Sequence, residues 1–487
     1  MSTSIIEAVR GMRDVFSQEQ QAMTLAQRQL ESLLTSYGYV PIDSPVIEHR
    51  DLYLRKIGED LVGKIYEFAF GGRDLALRPE WTASVLRAYV THMQEHPLPL
   101  RLSYCGPVFR YQRPQRLTYR QFTQAGVELI GAAAPRADAE MVDLACAGLD
   151  ALGVSGYQIL LGHIGVVREA LTHLDLAKRT QGMLVWNLER IRSRGPEWVR
   201  DQLYETMGDL PIDPSLLEGL DEEQATTLLL RIVQAMGVNL AFGTRSPEEI
   251  VGRLVRKLRR KDSRERIDHA LDLLSAVSQI RDTPDRALSQ AMRLFERAGI
   301  ELAAFREIRA ILTMLEYHGL PQERMVLDFG MGRGLQYYTG LIFEMYDPDG
   351  VQICGGGRYD DLVQVLGGRQ SVPAVGFAYG LERVVAASTT LFPPEAQRRE
   401  VLVSPMTDTD YAYALEVART LRARGFVAMV DVRGRSLANN LRNADRRGTP
   451  YVAIVGADER ARGEVMWRDL HTRQEKRVRL DELRLDR

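Results

Sequence analysis

The stretch FRYQRPQRLTYRQFTQAGVELIG, residues 109–131, decides the fold. Its second half alternates polar and apolar residues, as does LRLSYCGPVFRY (100–111) before it, and a Pro- and Arg-rich turn lies between them. Alternation with a period of two predicts two antiparallel strands joined at that turn. IYEFAF (65–70) and LALRPE (75–80) add further short strands set off by Gly, Pro and Asp. Upstream, residues 18–36 carry apolar positions at helical spacing until Tyr37-Gly38-Tyr39 stops the pattern, which predicts a long helix. Downstream, 137–152 returns to helical spacing and 156–163 reads as a strand.

Beyond Val166 some 140 residues show amphipathic helical patterning with almost no strand signal. Strands resume at MVLDFG (325–330) and run through YYTGLIFEMYD (337–347) and AVGFAYGLERVV (374–385). After Leu391-Phe-Pro-Pro-Glu the rhythm changes to strand, helix, strand, helix, strand over 399–456, which predicts a small α/β domain with a mainly parallel sheet.

Composition narrows the classes. The chain has 487 residues, 63 Lys+Arg against 65 Asp+Glu, and 45% apolar residues. That length predicts about three domains at ~100–200 residues each, and the charge balance excludes a polybasic coat. A local run opposes the average: Arg253–Arg266 holds eight basic residues against Asp262 and Glu265. Such a run is usually a solvated helix face, and its functional alternative is tracking of RNA phosphates. Three scattered cysteines, Cys105, Cys146 and Cys354, suit neither a disulfide framework nor a zinc site and predict a reducing compartment. With no signal-like N-terminus and no apolar run of ~18 residues, a cytoplasmic protein without membrane association is expected.

Arg110, Arg333 and Arg383 stand where strands meet turns. Guanidinium forks suit separate phosphates of a bent triphosphate, although any one arginine alone is more often a structural ion pair. The glycine-dense CGGGRYDDL (354–362) permits close backbone approach to a ligand or a β-bulge.

Taken in order, GMRDVF, GYVPIDSPVIE, LALRPEWT, FRYQRPQRLTYRQFTQAGVELIG, GRGLQYYTG, GGGRYDDL and PAVGFAYGLERVV resemble the class II and histidine-specific motifs of the histidyl-tRNA synthetase family. That family includes a paralogue, the regulatory subunit of ATP phosphoribosyltransferase. The resemblance implies an α+β class II aminoacyl-tRNA synthetase-like core, an antiparallel sheet with helices, over 1–165 and 307–397. It further implies an all-α insertion over 166–306 and an α/β anticodon-binding-like domain over 398–487. Carried onto this sequence, Glu80, Thr82 and Gln124 hold the α-amino group of histidine and Arg333 its carboxylate. Glu128 and Tyr338 bond the imidazole, Tyr359 lines the site, and Arg110 and Arg383 contact nucleotide phosphates. Arg110 and Arg333 are the catalytic candidates if the chain is active; no metal site is implied.

Four positions around the reaction centre depart from the family's spelling. Gln112, Leu117 and Thr118 replace a Glu, a Gly and an Arg of the loop, and Trp81 replaces the glycine between Glu80 and Thr82. Gln336 also replaces an Asp. An indole at a glycine position would close part of the activation pocket. The expectation is therefore a histidine-binding regulatory subunit with no permanent cofactor, acting on a short-form ATP phosphoribosyltransferase catalytic subunit. The alternative is an active histidine–tRNA ligase using ATP, Mg2+ and tRNA, and the second alternative a non-catalytic tRNA- or histidine-sensing module. The core is expected to form a homodimer.

Overall fold

The computed structural model describes residues 5–55, 63–207, 220–236, 246–259, 262, 264–332, 337–391, 399–480 and 482, except the side chains of 17, 253, 254 and 256–259. The chain forms two compact units, Met1–Leu391 and Phe392–Arg487.

The first unit is built on twelve strands: β1 (Val40–Pro41), β2 (Ile47–His49), β3 (Glu67–Phe70), β4 (Arg73–Leu77), β5 (Leu100–Phe109), β6 (Gln121–Ile130), β7 (Gln158–His163), β8 (Arg281–Asp282), β9 (Met325–Asp328), β10 (Leu341–Tyr346), β11 (Gln352–Arg358) and β12 (Ala374–Gly380). Nine form one sheet in the order β1-β5-β6-β12-β11-β10-β7-β9-β8, and β2-β4-β3 form a small separate sheet. Within the large sheet only β1–β5 and β7–β9 pair in parallel. The β5–β6 hairpin pairs Leu100 with Ile130 through Phe109 with Gln121.

Period-two geometry then sorts every side chain. Ala125, Val127 and Leu129 of β6 join Val375, Phe377 and Tyr379 of β12 in a core with the helices Ser17–Ser36 and Arg136–Ala151. The even-numbered residues of β5, β6 and β12 face the other way. That face carries Tyr104, Gln124, Glu128 and Gly376, beside a second core holding Trp81, Tyr337, Tyr338 and Tyr359. The helix Ser17–Ser36 docks through Ala22, Ala26, Leu30 and Leu34, all buried at i, i+4 spacing.

Helices fill the described part of 164–278 and 284–317, with one exception to the all-helical expectation. Strand β8 pairs antiparallel with β9 and so closes the edge of the large sheet. Leu184, Leu188, Ile191, Ile267 and Leu271 of these helices share the core of the sheet. Most side chains of the basic run lie outside the described residues; of the two arginines that do not, Arg264 covers the Tyr204 ring and Arg266 bonds Asp175.

One buried ion pair ties the motif-bearing strand β11 to the core. Arg358, 2% exposed, donates from Nε to Asp138 Oδ1 at 3.0 Å and from Nη2 to Oδ2 at 2.5 Å, and from Nη1 to Asp360 at 2.8 Å. Removing one partner of a buried pair costs about 3–5 kcal/mol because the remaining charge stays desolvated. Asp138→Ala is expected to lower unfolding free energy by about that amount, read as a lower urea midpoint at unchanged slope.

The second unit, β13 (Glu400–Pro405), β14 (Val427–Val430), β15 (Tyr451–Val455), β16 (Glu464–Asp469) and β17 (Glu475–Arg479), orders as β14-β13-β15-β16-β17. The expected parallel sheet is half of it. β13 pairs in parallel with β14 and β15, whereas β15–β16 and β16–β17 are antiparallel. Among the described residues no helix is long and apolar enough to cross a membrane.

Candidate functional site

A cavity of about 300 Å³ opens on the even-numbered face, lined by Glu80, Thr82, Tyr104, Gln124, Tyr338, Tyr359 and Gly376 among others. Glu128 does not itself line the cavity: it is completely buried behind the lining residues Thr82, Tyr104 and Gly376. Two hydroxyls converge on Glu128 Oε1: Thr82 Oγ1 donates at 2.8 Å and Tyr104 OH at 3.0 Å. Among the described residues Oε2 has no hydrogen-bond partner. A methyl group built at Gly376 would lie 2.1 Å from Oε2 and 2.5 Å from the Tyr359 hydroxyl, so the absence of a side chain there is what lets both groups approach β12. Glu80, on the turn entering the helix Thr82–Ala88, accepts from Ala83 N at 2.9 Å through Oε1, while its Oε2 is unpartnered.

Burial pushes both carboxyls above the ordinary carboxylate range. For Glu128 the nearby Glu80 charge pushes the same way, and the Thr82 and Tyr104 hydroxyls oppose it. Carboxyls buried like these are held in their ionised form by a cationic or N–H-donating partner. The Tyr337, Tyr338 and Tyr359 rings pack within 4.8–6.4 Å of one another and give the cavity an aromatic wall.

A second cavity of about 140 Å³ shares Arg110, Gln124, Gln352, Gly355 and Ala378 with the first and adds Gln112, Leu117, Thr118, Glu382 and Arg383. Arg110 Nε donates to Pro79 O at 2.8 Å, which aims the side chain along the boundary of the two spaces. Arg383 donates to Leu117 O at 3.0 Å, Gln352 O at 2.9 Å and Thr118 Oγ1 at 3.3 Å. Gln112 Nε2 donates to Tyr119 O at 2.8 Å and Arg110 N to Arg120 O at 2.8 Å, so the loop folds as a clamped hairpin.

Leu117 has φ = +56°. A branched side chain in the left-handed region costs roughly 1–2 kcal/mol, and glycine pays none of it. Leu117→Gly is expected to raise unfolding free energy by up to about 1 kcal/mol after the greater freedom of the unfolded glycine is counted, measured by urea denaturation.

The structure thus brings together Glu80, Thr82, Gln124, Tyr338 and Tyr359 around one space with Glu128 buried behind its wall, Arg383 in the neighbouring space, and Arg110 in both. Arg333 and Gln336 lie outside the described residues. The expectation for Trp81 is corrected. Its indole is 1% exposed and packs against Arg78, Tyr104 and Gly106, and it lines neither cavity. It therefore blocks nothing. The sequence reading also missed Tyr104, Lys64 and Glu344, which line the larger cavity. For Tyr104 a signal existed, because the register of the β5–β6 hairpin puts it on the same face as Glu128.

The Histidyl-tRNA synthetase family model matches residues 11–195 and 226–384, and the Anticodon binding domain model matches 400–484. The histidine–tRNA ligase of Methanocaldococcus jannaschii is 30% identical over 478 residues, 97% of each chain. That of Pyrobaculum arsenaticum is 32% identical over 477 residues, 98% of this chain and 97% of its own. Among solved structures, a Bacillus halodurans protein described as ATP phosphoribosyltransferase regulatory subunit/histidyl-tRNA synthetase superposes with TM-score 0.66 at 21% identity, over 93% of this chain and 99% of its own. Histidyl-tRNA synthetase from a Nostoc species superposes with TM-score 0.64 at 20% identity, over 98% of both. Identities this low speak for the fold alone.

These relationships overturn the regulatory-subunit expectation. The curated relatives named histidine–tRNA ligase align with nearly the whole chain, C-terminal unit included, and the indole that argued for a blocked pocket is not among the residues lining either cavity. With a family model spanning most of the first unit and relatives of this identity running end to end, the chain belongs to the histidyl-tRNA synthetase family.

Proposed function

We propose that the chain is a histidine–tRNA ligase, which joins histidine to ATP and passes the aminoacyl group to tRNA. The observation that carries this reading is a pair of buried carboxylates, Glu80 lining a cavity and Glu128 directly behind its Thr82, Tyr104 and Gly376 wall, where that cavity merges with an arginine-lined one through Arg110 and Gln124. Histidine meets both needs: its ammonium pairs with Glu80 beside Thr82 and Gln124, and its imidazole N–H donates to Glu128, with Tyr338 and Tyr359 at the ring. Arg333 would face the carboxylate.

The carboxylate then attacks the α-phosphorus of ATP in line, the bond to the β-phosphate oxygen breaks, and pyrophosphate leaves. Arg110 and Arg383 stabilise the charge that builds on the phosphoryl oxygens. ATP enters as its Mg2+ complex, the metal neutralising the phosphates. A terminal ribose hydroxyl of tRNA next attacks the acyl carbon and releases AMP.

For tRNA the reading rests on the second unit, where the helix Leu437–Arg446 and its flanks carry Arg433, Arg435, Arg442, Arg446 and Arg447. Binding through these arginines would weaken steeply with salt. A homodimer of the first unit is supported by the apolar side chains Ile47, Phe68 and Phe70, which the small sheet leaves exposed.

The test is histidine-dependent ATP–pyrophosphate exchange followed by charging of histidine tRNA. Exchange with histidine and with no other amino acid is expected. No exchange, or exchange with several amino acids alike, would overturn the reading.

A further inference from the structure

Trp81 stands at a position the family writes as glycine, yet it is among the most completely buried side chains of the molecule. Its surroundings form a chain of contacts that leads to Glu128, behind the wall of the amino-acid cavity. Arg78, itself 2% exposed, is pinned by Pro107 O at 2.8 Å and Ser44 O at 2.6 Å. Its guanidinium lies 3.5 Å from the centre of the indole. The indole N–H donates to Gly106 O at 3.3 Å, and a Cβ at Gly106 would lie 2.7 Å from the ring, so only glycine leaves room for it there. The Tyr104 ring stacks on the indole at 4.9 Å between centroids with 10° between planes. The Tyr104 hydroxyl ends the chain by donating to Glu128 Oε1 at 3.0 Å.

We infer that Trp81 is a positioning residue for histidine recognition: stacked between Arg78 and Tyr104 in this chain of contacts, it aims the Tyr104 hydroxyl at Glu128 and so presents Glu128 Oε2 to the imidazole. The inference rests on the ligase reading only for the identity of the amino acid. A flat ring stacked at this angle restrains Tyr104 in two directions at once, and the guanidinium above an indole adds a second restraint. With Oε1 occupied by Tyr104 and Thr82, the carboxylate cannot rotate to offer the ligand its other oxygen. Among the described residues, the groups that face Glu128 are Glu80 from the turn before the helix Thr82–Ala88, the hydroxyls of Thr82 and Tyr104, the Tyr359 hydroxyl across Gly376, and the more distant Tyr39; Arg110 acts on Glu80. Loss of a donor to the ionised form makes Glu128 easier to protonate. Variants that release Tyr104 therefore shift the acid limb of histidine use to higher pH.

Tyr104→Phe, Trp81→Leu and Trp81→Phe are compared with the unchanged protein in pyrophosphate exchange and in calorimetric titration with histidine, each with a thermal melt. Tyr104→Phe is expected to lower kcat/KM for histidine about ten- to hundredfold, as for a hydrogen bond to a charged group, with the KM for ATP within about twofold and the acid limb moved up. Trp81→Leu moves the same quantities in the same direction by less, and Trp81→Phe, which keeps a stacking ring, recovers most of the loss. Unchanged histidine affinity and acid limb in Trp81→Leu, or an effect on ATP alone, would overturn the inference. Should Trp81→Leu not fold, Trp81→Phe carries the test: a small loss of histidine affinity and a small upward move of the acid limb, both in the direction of Tyr104→Phe, are expected at a thermal melt near that of the unchanged protein, and values identical to the unchanged protein would overturn the inference. If the unchanged protein binds histidine without exchange, the ligase reading fails while the role of Trp81 is still read from the titration.

Discussion

Glu128→Gln is expected to reduce kcat/KM for histidine by roughly 10²–10⁴-fold, with little change in the KM for ATP. The estimate joins a charge-assisted hydrogen bond, about 1.5–3 kcal/mol, to a buried donor left unpaired, about 1–3 kcal/mol, at about 1.4 kcal/mol per factor of ten. Geometry makes the substitution informative. The Thr82 and Tyr104 hydroxyls both donate to Oε1, so the glutamine carbonyl takes that place and its amide N–H groups meet the imidazole N–H. Two donors then face each other where the unchanged protein has a donor and an acceptor. Pre-steady-state exchange at saturating ATP separates this loss from any effect on the nucleotide.

The same carboxyl sets a pH signature. Burial raises its pKa, with Glu80 adding to the rise, and only the ionised form accepts the imidazole N–H. Histidine affinity accordingly falls as pH drops through that raised value, at a higher pH than an ordinary carboxylate would give. The free protein behaves oppositely. A carboxyl that holds its proton more tightly when folded makes the folded state bind more protons than the unfolded one, so stability declines as pH rises from the ordinary carboxylate range through the raised value. Thermal stabilisation by histidine is thus expected to be larger at pH 8 than at pH 5.

Arg110→Gln is expected to cut the rate of pyrophosphate exchange about 10²–10³-fold, the effect of losing one preorganised donor to transition-state charge. Arg110 lines both cavities and its Nε is held by Pro79 O, so on the proposed ligase reading the guanidinium stands where the α-phosphate and the histidine carboxylate would meet. Histidine binding alone should persist, because Glu80, Gln124 and Glu128 remain. Arg110 also helps keep Glu80 ionised against its burial, so its removal makes that carboxyl easier to protonate. Equal losses in histidine binding and in exchange would place Arg110 in the amino-acid site and remove it from phosphate contact.

Much of this was legible in the chain. The alternation of 100–131 specified the β5–β6 hairpin, and with it the common face of Gln124 and Glu128. The spacing of Ala22, Ala26, Leu30 and Leu34 specified the long helix and its buried stripe. Both are local periodicities, set by the backbone whatever surrounds them. The antiparallel half of the second sheet was not read, because Glu464–Asp469 and Glu475–Arg479 mix charged and apolar residues on an edge that faces water on one side.

Site chemistry divided in the same way. Residue types in ordered motifs pointed to the proposed pocket for an amine, a carboxylate and an imidazole, since charge and hydrogen-bonding capacity belong to the side chain itself. The direction in which Trp81 points does not belong to it. Trp81 occupies the N-cap of the helix Thr82–Ala88, and at that position the available space decides the rotamer. Gly106 leaves room on one side and Tyr104 offers a ring to stack on, both contributed by a strand more than twenty residues later. By sequence alone an indole in place of glycine was an obstruction at the reaction centre; tertiary packing put it behind Tyr104, because burial against an aromatic and a guanidinium is more favourable for a large planar side chain than standing in a polar, arginine-lined cavity.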